Sequence, residues 1–354
     1  MRVLIAPDSF KGSIDAAGAA EAIASGWRAV RPQDEVRCLP LADGGEGTLA
    51  ALAPGASLIP ARVFDPVGRE RDAHWALLPD GTAVVELAEA SGLPLLETPA
   101  PLTASTFGFG QLLRIAARHR GTRRIIAALG GSATTDGGAG ALTALGAAFL
   151  DSQGKPLPPG GGALHLLAAA DLSGLVPSGE VVCLVDIDTP LLGPTGAARR
   201  FAPQKGADTA GVTVLEAGLA RYADVLGGDR DAPGAGAAGG TAFGLATAWG
   251  ARLVPGARFV ADLVGLPAAL GRADLLITGE GRLDEQSWSG KVVGHAAAQA
   301  RRVALVVGSC ATTVPDGMAC VSLAELAGDV RSAVREPARW LAAAGRSLAE
   351  ICPV

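Results

Sequence analysis

Five times along this chain a short apolar run of the kind that forms a buried strand gives way to a turn rich in Asp, Glu or Gly. Val3–Ala6 is stopped by Pro7-Asp8-Ser9. Glu35–Leu41 closes in Ala42-Asp43-Gly44-Gly45-Glu46-Gly47-Thr48, and Arg124–Leu129 runs into Gly130-Gly131-Ser132-Ala133-Thr134-Thr135-Asp136-Gly137-Gly138. Val181–Val185 ends in Asp186-Ile187-Asp188-Thr189-Pro190, and Asp274–Thr278 in Gly279-Glu280-Gly281-Arg282-Leu283-Asp284. Helical apolar spacing from Ile14 to Val30 separates the first strand from the second. Strand, polar turn, helix, strand is the opening of a parallel sheet with crossover helices. Such sheets collect ligands outside the carboxyl ends of their strands. The expectation is therefore that these turns converge on one sheet edge.

The rest of the chain reads less regularly. Residues 58–97 predict two or three strands with Pro-Val-Gly and Pro-Asp-Gly turns, an antiparallel patch. Helices are expected near Phe109–His119, Ala139–Phe149 and Val330–Ala349, and a last strand at Ala304–Val307. The Gly-rich segment 227–240 reads as a mobile or ligand-wrapping loop, because foldable sequence continues on both sides.

At 354 residues the chain suits two domains. Its hydrophobic share of 49% with only 4% aromatics predicts Ala, Val and Leu packed in α/β layers. A net charge of -5 with no Lys/Arg run excludes a duplex-binding surface, so no nucleic-acid partner is expected. The five cysteines show no metal or redox spacing and read as reduced thiols. No signal-peptide pattern and no apolar run of about 20 residues is present, which predicts a soluble cytoplasmic protein without a membrane partner.

Gly-rich turns before helices suit anions, because Gly lets the backbone approach closely and adopt positive φ. The 130–140 segment, with Gly130, Gly131, Ser132, Thr134 and Asp136, fits a phosphate cradle, although a plain strand-to-helix turn has the same look. Asp43, Glu46, Asp136, Asp186, Asp188, Glu280 and Asp284 are candidate metal or base groups, each of which is also a natural cap or Asx-turn residue. Lysine is scarce, four against 26 Arg, and Lys11, Lys205 and Lys291 all lie beside Gly. A compact ammonium retained in an Arg-rich chain points to phosphate chemistry. Gly234-Ala235-Gly236-Ala237-Ala238-Gly239 matches the dinucleotide pattern but follows a polar stretch rather than a strand, and no P-loop motif occurs. The four histidines have no metal spacing.

Several longer segments, taken together, resemble the type I glycerate kinase family over nearly the whole chain. They are Ala6–Ser13, Pro40–Thr48, Leu129–Thr134, Pro190–Pro194, Pro203–Ala207, Gly234–Gly240 and Ile277–Asp284. The resemblance implies ATP-dependent phosphorylation of D-glycerate with Mg²⁺, usually to 2-phosphoglycerate. It also implies two α/β domains, a Rossmann/flavodoxin-like parallel-sheet domain from residues 1–60 plus 272–354 and an inserted mixed α/β domain from 61–271, with the site in the cleft between them. On that reading Asp186, Asp188 and Lys11 are the catalytic candidates. Asp8, Ser9, Asp43, Glu46, Lys205 and Arg282 contact substrate, with Lys11 and Arg282 on the glycerate carboxylate. Gly130, Gly131, Ser132, Thr134, Asp136 and Lys291 face ATP, and Glu280 and Asp188 hold the metal. The competing readings are a kinase for another small hydroxy acid, an NAD(P)-dependent hydroxy-acid oxidoreductase and a non-catalytic sugar-acid binding protein. Thr135 and Thr189 stand where the family usually has Asn, losing an amide that could bond substrate, and the sequence after Lys291 looks shortened. A homodimer stays open, since no heptad seam marks an interface.

Overall fold

The structure, a computed structural model, describes residues 1–52, 55–177, 179–288 and 291–352. These fall into two compact units: Met1–Asp43 and the stretch from Ala50 to Leu52 with the segment beginning at Gly256, and Gly44–Leu49 with Gly55–Pro255. The chain opens with β1 (Arg2–Ile5), the helix Ala16–Val30 and β2 (Glu35–Cys38). It then builds β3 (Ser57–Phe64), β4 (Glu70–Leu77), β5 (Thr82–Glu86), β6 (Arg124–Ala128), β7 (Ala148–Leu150), β8 (Ala169–Asp171), β9 (Glu180–Val185) and β10 (Arg252–Pro255). It returns with β11 (Leu275–Leu283), β12 (Val303–Cys310) and β13 (Ala319–Ser322).

The first unit is one parallel sheet in the order β13-β12-β11-β1-β2. This is the flavodoxin-like order, whose winding reverses between β1 and β11. Both faces are covered, and the period-two alternation of a strand sorts the side chains between them. Val3, Ile5, Leu275, Ile277, Ala304 and Val306 join one core, while Leu4, Leu276, Leu305 and Val307 join the other. Asp15 starts the Ala16–Val30 helix by accepting the Gly18 amide at 2.7 Å. That helix packs on Pro337–Ile351 through two glycines. A methyl at Gly26 would run into the Ala342 carbonyl oxygen, and one at Gly345 into that of Ile23.

The second unit holds a six-stranded sheet, β10-β9-β6-β5-β4-β3. Its β10, β9, β6 and β5 run parallel, and β4 runs antiparallel to both neighbours, which is the expected antiparallel patch. Trp75, Phe109, Leu112 and Leu113 are fully buried in its core. The short pair β7 and β8 forms a separate antiparallel ladder. Together these sheets make the α/β class with one flavodoxin-like and one mixed sheet.

Several local expectations need correction. The five turns do not share one edge: Asp8, Asp43 and Glu280 belong to the first sheet, and 130–136 and 186–188 to the second. Gly279–Leu283 is strand rather than turn, because β12 pairs with it in register as far as Leu283 and Cys310. The helix from Ala139 stops at Leu145, where Gly146 takes φ +118°, and Phe149 lies in β7. The closing helix is two, Val330–Arg335 and Pro337–Ile351, divided at the proline. Residues 234–240 are mostly buried rather than mobile: Gly236 N donates to Thr189 O and Gly137 N to Gly239 O, and Ala238, Gly239 and Gly240 take left-handed backbone before the helix that ends at Trp249. Among the described residues no helix is long and apolar enough to cross a membrane.

The helix crossing supplies a test. Gly26→Ala gains up to about 1 kcal/mol of helix propensity, but the added methyl must push the partner backbone aside, an overpacking cost of about 1–3 kcal/mol or more. A lower thermal midpoint is expected; an unchanged or raised midpoint would contradict the close approach.

Candidate active site

In the first unit a cavity of about 550 Å³ opens where the winding reverses, lined on one side by Asp8, Lys11, Asp43, Glu280, Arg282 and Lys291. Backbone pairing puts them there. Asp8 continues β1 and donates its amide to Gly279 O at 2.9 Å, while Leu41, leading to Asp43, donates to Pro7 O at 2.9 Å. The Thr278 hydroxyl donates to Ala6 O at 2.8 Å and ties β11 to the same turn. Glu280 lies opposite Val307 of β12, an approach so close that a side chain at Gly279 would strike the Val306 carbonyl. Ser9 is half-buried in this lining, and Gly290, which precedes Lys291 in sequence, lies outside the described residues.

The electrostatics of this cavity are those of stranded acids. Asp8 is 7% exposed. Burial, then the Asp43 charge, push its carboxyl up to about 7, against the Ser9 amide 2.6 Å away and the Lys11 charge. Burial also raises Glu280, opposed by Ser287 and Lys291, and its Oε1 is buried without a hydrogen-bond partner. Lys11 Nζ lies 3.3 Å from Asp43 Oδ2, with the lysine side chain 67% exposed and the aspartate nearly covered. Arg282 is exposed at the rim. The cavity can take a cation on its carboxylates and an anionic group on Lys11, Arg282 and Lys291.

In the second unit the Gly-rich turn after β6 is braced from both sides. Leu93 N donates to Gly131 O at 2.8 Å and Ala133 N to Ser91 O at 2.9 Å. Asp136 is buried and accepts from Thr106 N and Oγ1, both at 2.8 Å, and from Gly138 N and Gly140 N. Its oxygens thus hold the turn together, while burial pushes its carboxyl up against those bonds. Lys205, also buried, donates from Nζ to Ser132 Oγ at 2.8 Å and Thr134 O at 2.6 Å. Burial lowers its ammonium to about 7, with Asp136 opposing. Glu46 is exposed beside this turn: a methyl on Gly131 would sit 3.3 Å from its Oε2, and Gly130 abuts Gly45. Asp186 and Asp188 follow β9 and are exposed, whereas Thr189 is buried and its hydroxyl accepts from Arg200 Nη1 at 2.8 Å. Thr135 is buried too, and its hydroxyl has no partner.

Glu46, the 130–134 turn and Lys205 are therefore together, as are Asp8, Lys11, Asp43, Glu280, Arg282 and Lys291. Sequence reading missed Glu86. At the end of β5, 4% exposed, it accepts Gly47 N and Leu49 N, both at 2.9 Å, and so holds the turn that carries Glu46. Burial, with the Glu89 and Glu46 charges adding, pushes its carboxyl up to about 7 against those two amides. The available signal was the same strand-end carboxylate, hidden in Val84-Val85-Glu86-Leu87 where no glycine follows. Among the described residues no three His, Cys, Asp or Glu side chains cluster to hold a metal by themselves.

A flavodoxin-like sheet with acids and cations at its reversal point, and a second sheet with a lysine-braced glycine turn, define an α/β enzyme of the phosphotransferase kind. The profile of the Glycerate kinase family matches residues 3–352. A Bacillus subtilis (strain 168) protein named glycerate kinase is 45% identical over 306 residues, covering 82% of this chain and 79% of that one. An Escherichia coli (strain K12) protein named glycerate 2-kinase is 42% identical over 307 residues, covering 82% and 80%. A crystal structure assigned as glycerate kinase 2 from Salmonella typhimurium LT2 superposes with a TM-score of 0.83 at 37% identity, covering 99% of this chain and 97% of that one. The chain belongs to the glycerate kinase family.

Two outcomes follow from the buried acids. Folded Asp8 titrates near 7 rather than 3.8, so the stability it contributes as the neutral acid is complete below about pH 4 and is lost as pH rises through about 7. At pH 8 Asp8→Asn should raise the thermal midpoint by about 2–4 °C while lowering turnover; a lower midpoint at that pH would refute the burial cost. Glu86→Ala strands two amides and should cost about 2–4 kcal/mol, with faster hydrogen exchange at Gly47 and Leu49. Unchanged exchange at Leu49 would show that Glu86 is not the clamp.

Proposed function

We propose that this enzyme transfers the γ-phosphoryl group of ATP to the 2-hydroxyl of D-glycerate, giving 2-phosphoglycerate. Family membership and the name of the Escherichia coli relative support the reading. The observation that carries it is the cavity that sets Lys11, Arg282 and Lys291 beside buried carboxylates, since a carboxylate substrate and a polyphosphate both need that pairing of signs.

In this reading Lys11 and Arg282 receive the glycerate carboxylate, with Asp8, Ser9 and Asp43 bonding its hydroxyls. Lys291 faces the phosphates. In the second unit Glu46 and Lys205 contact substrate, and Gly130, Gly131, Ser132 and Thr134 offer backbone and hydroxyl donors to phosphate, with Asp136 shaping the turn from behind. Asp186 or Asp188 accepts the proton of the attacking hydroxyl.

Mg²⁺ fits the residues present. Magnesium keeps several waters and needs only one or two protein carboxylates beside substrate phosphates, so no preformed three-residue cluster is required. The orphaned, buried Oε1 of Glu280 is the kind of oxygen such an ion would satisfy. Glu280 in the first unit and Asp188 in the second are the metal carboxylates of this proposal. A bound ion would neutralise charge developing on the transferred phosphoryl group.

The oxidoreductase reading loses its motif. Gly234–Gly239 is packed too tightly for a pyrophosphate, since a side chain at Gly236 would strike Pro190 O and one at Gly239 would strike Thr134 O. The decisive assay is coupled ADP release with D-glycerate, L-glycerate and related hydroxy acids, with and without Mg²⁺. Phosphorus NMR of the product then identifies the phosphorylated position. Magnesium-dependent turnover selective for D-glycerate, with a 2-phosphoglycerate resonance, is expected. No ADP release with any acid would overturn the reading, and 3-phosphoglycerate would overturn its regiochemistry.

A further inference from the structure

The first unit's cavity is too large and too apolar for its acid substrate alone. At about 550 Å³ it lies within the range of roughly 300–1,000 Å³ typical of sites for cofactor- and drug-sized ligands, whereas glycerate is a three-carbon acid. Besides the charged groups, Leu323, Val330, Ala333 and Val334 contribute an apolar wall to the same cavity. Val330 is 55% and Val334 48% exposed, and their spacing of one helical turn puts them on the same face of Val330–Arg335. Two such valines left in water beside a charged site need an explanation that a fully polar acid does not supply.

We propose that this wall seats the nucleoside end of the phosphoryl donor, with the base lying against Val330 and Val334 and the polyphosphate running toward Lys291. The inference rests on the kinase reading above and adds where the donor's base sits. A nucleotide is the ligand class whose two ends match the two sides: an apolar aromatic face and a chain of anionic oxygens. Position in the fold agrees, because ligands of doubly wound sheets lie outside the carboxyl ends of the strands at the reversal point. Another cavity, of about 700 Å³ in the second unit, is walled by Phe64, Phe107 and Phe149. Among the described residues lining it there is no Lys or Arg, and its Asp65 is already engaged by Arg69 at 2.6 Å. It can bury a ring but offers no cation for a polyphosphate.

The test replaces Val330 and Val334 together by serine, which removes apolar surface without adding charge on a helix face that is already exposed. The capping bonds that Ser332 N and Oγ donate to the Asp329 carboxylate are untouched, and an unchanged thermal midpoint confirms that the variant is folded. Calorimetric titrations with ADP and with inorganic pyrophosphate separate the nucleoside from the phosphates. ADP affinity should fall roughly tenfold, in line with the lost apolar contact, with pyrophosphate affinity and the KM for glycerate unchanged. Equal ADP affinity in variant and wild type, an equal loss for ADP and pyrophosphate, or a rise in glycerate KM alone would each overturn the proposal. Failure of the kinase reading shows differently: wild type would bind ADP in a valine-dependent way yet release none from ATP with glycerate.

Discussion

The burial of Asp8 beside Asp43 and Glu280 is the constraint around which the first unit is arranged. A carboxylate taken out of water without a full set of partners is unfavourable, and here three acids stand at one reversal of the sheet. The backbone leaves them little choice. The Asp8 amide is committed to Gly279 O, so the register of β1 on β11 brings Asp8 and Glu280 to the same place. The close fit of β11 on β12 at Gly279 then fixes Glu280 on a strand instead of a loop. Groups carried on rigid elements hold their geometry better than groups on loops. Burial, with the Asp43 charge adding, holds the carboxyl of Asp8 high, and a cation bound beside it would favour the charged form.

The second unit has the opposite imbalance. Lys205 is a buried ammonium whose hydrogen-bond partners, Ser132 and Thr134, are neutral, and burial weakens its hold on its proton. The nearby Asp136 spends its oxygens on Thr106, Gly138 and Gly140 and keeps the glycine turn in shape. An anion reaching this turn would restore the lysine's affinity for its proton. One sheet thus presents acids in need of a cation and the other a base in need of an anion. Magnesium and phosphate, the species of the proposed reaction, would answer both deficits.

Much of this was legible because parallel α/β units announce themselves locally. A buried strand of Val, Leu and Ile followed by Asp or Gly is a pattern of adjacent residues, and β1, β6, β9 and the start of β11 were all readable that way, whereas β2 is an edge strand with no buried residue. What escaped depended on distant partners. Gly279-Glu280-Gly281-Arg282 has poor strand propensity, and only pairing with β12 makes it extended. Nothing near Asp43 or Asp136 tells which sheet its strand will join, so two edges read as one. Glu86 escaped because its role is to accept amides more than thirty residues away, at Gly47 and Leu49. The segment 234–240 looked mobile because its composition is that of a loop. Its order comes from burial against the 134–137 turn and Thr189, which composition does not encode.

Exposure of Asp186 and Asp188 is compatible with the precision a proton acceptor needs, because the turn that carries them is anchored just beyond its end. Thr189 is fixed twice: its hydroxyl accepts from Arg200 and its carbonyl from Gly236. β9 holds the other end, buried between β6 and β10. A carboxylate between two such anchors keeps its direction while remaining open to substrate, which a base on an unbraced surface turn would not. Thr189 is thus part of the brace that places Asp188, a proton acceptor or metal carboxylate of the proposed reaction.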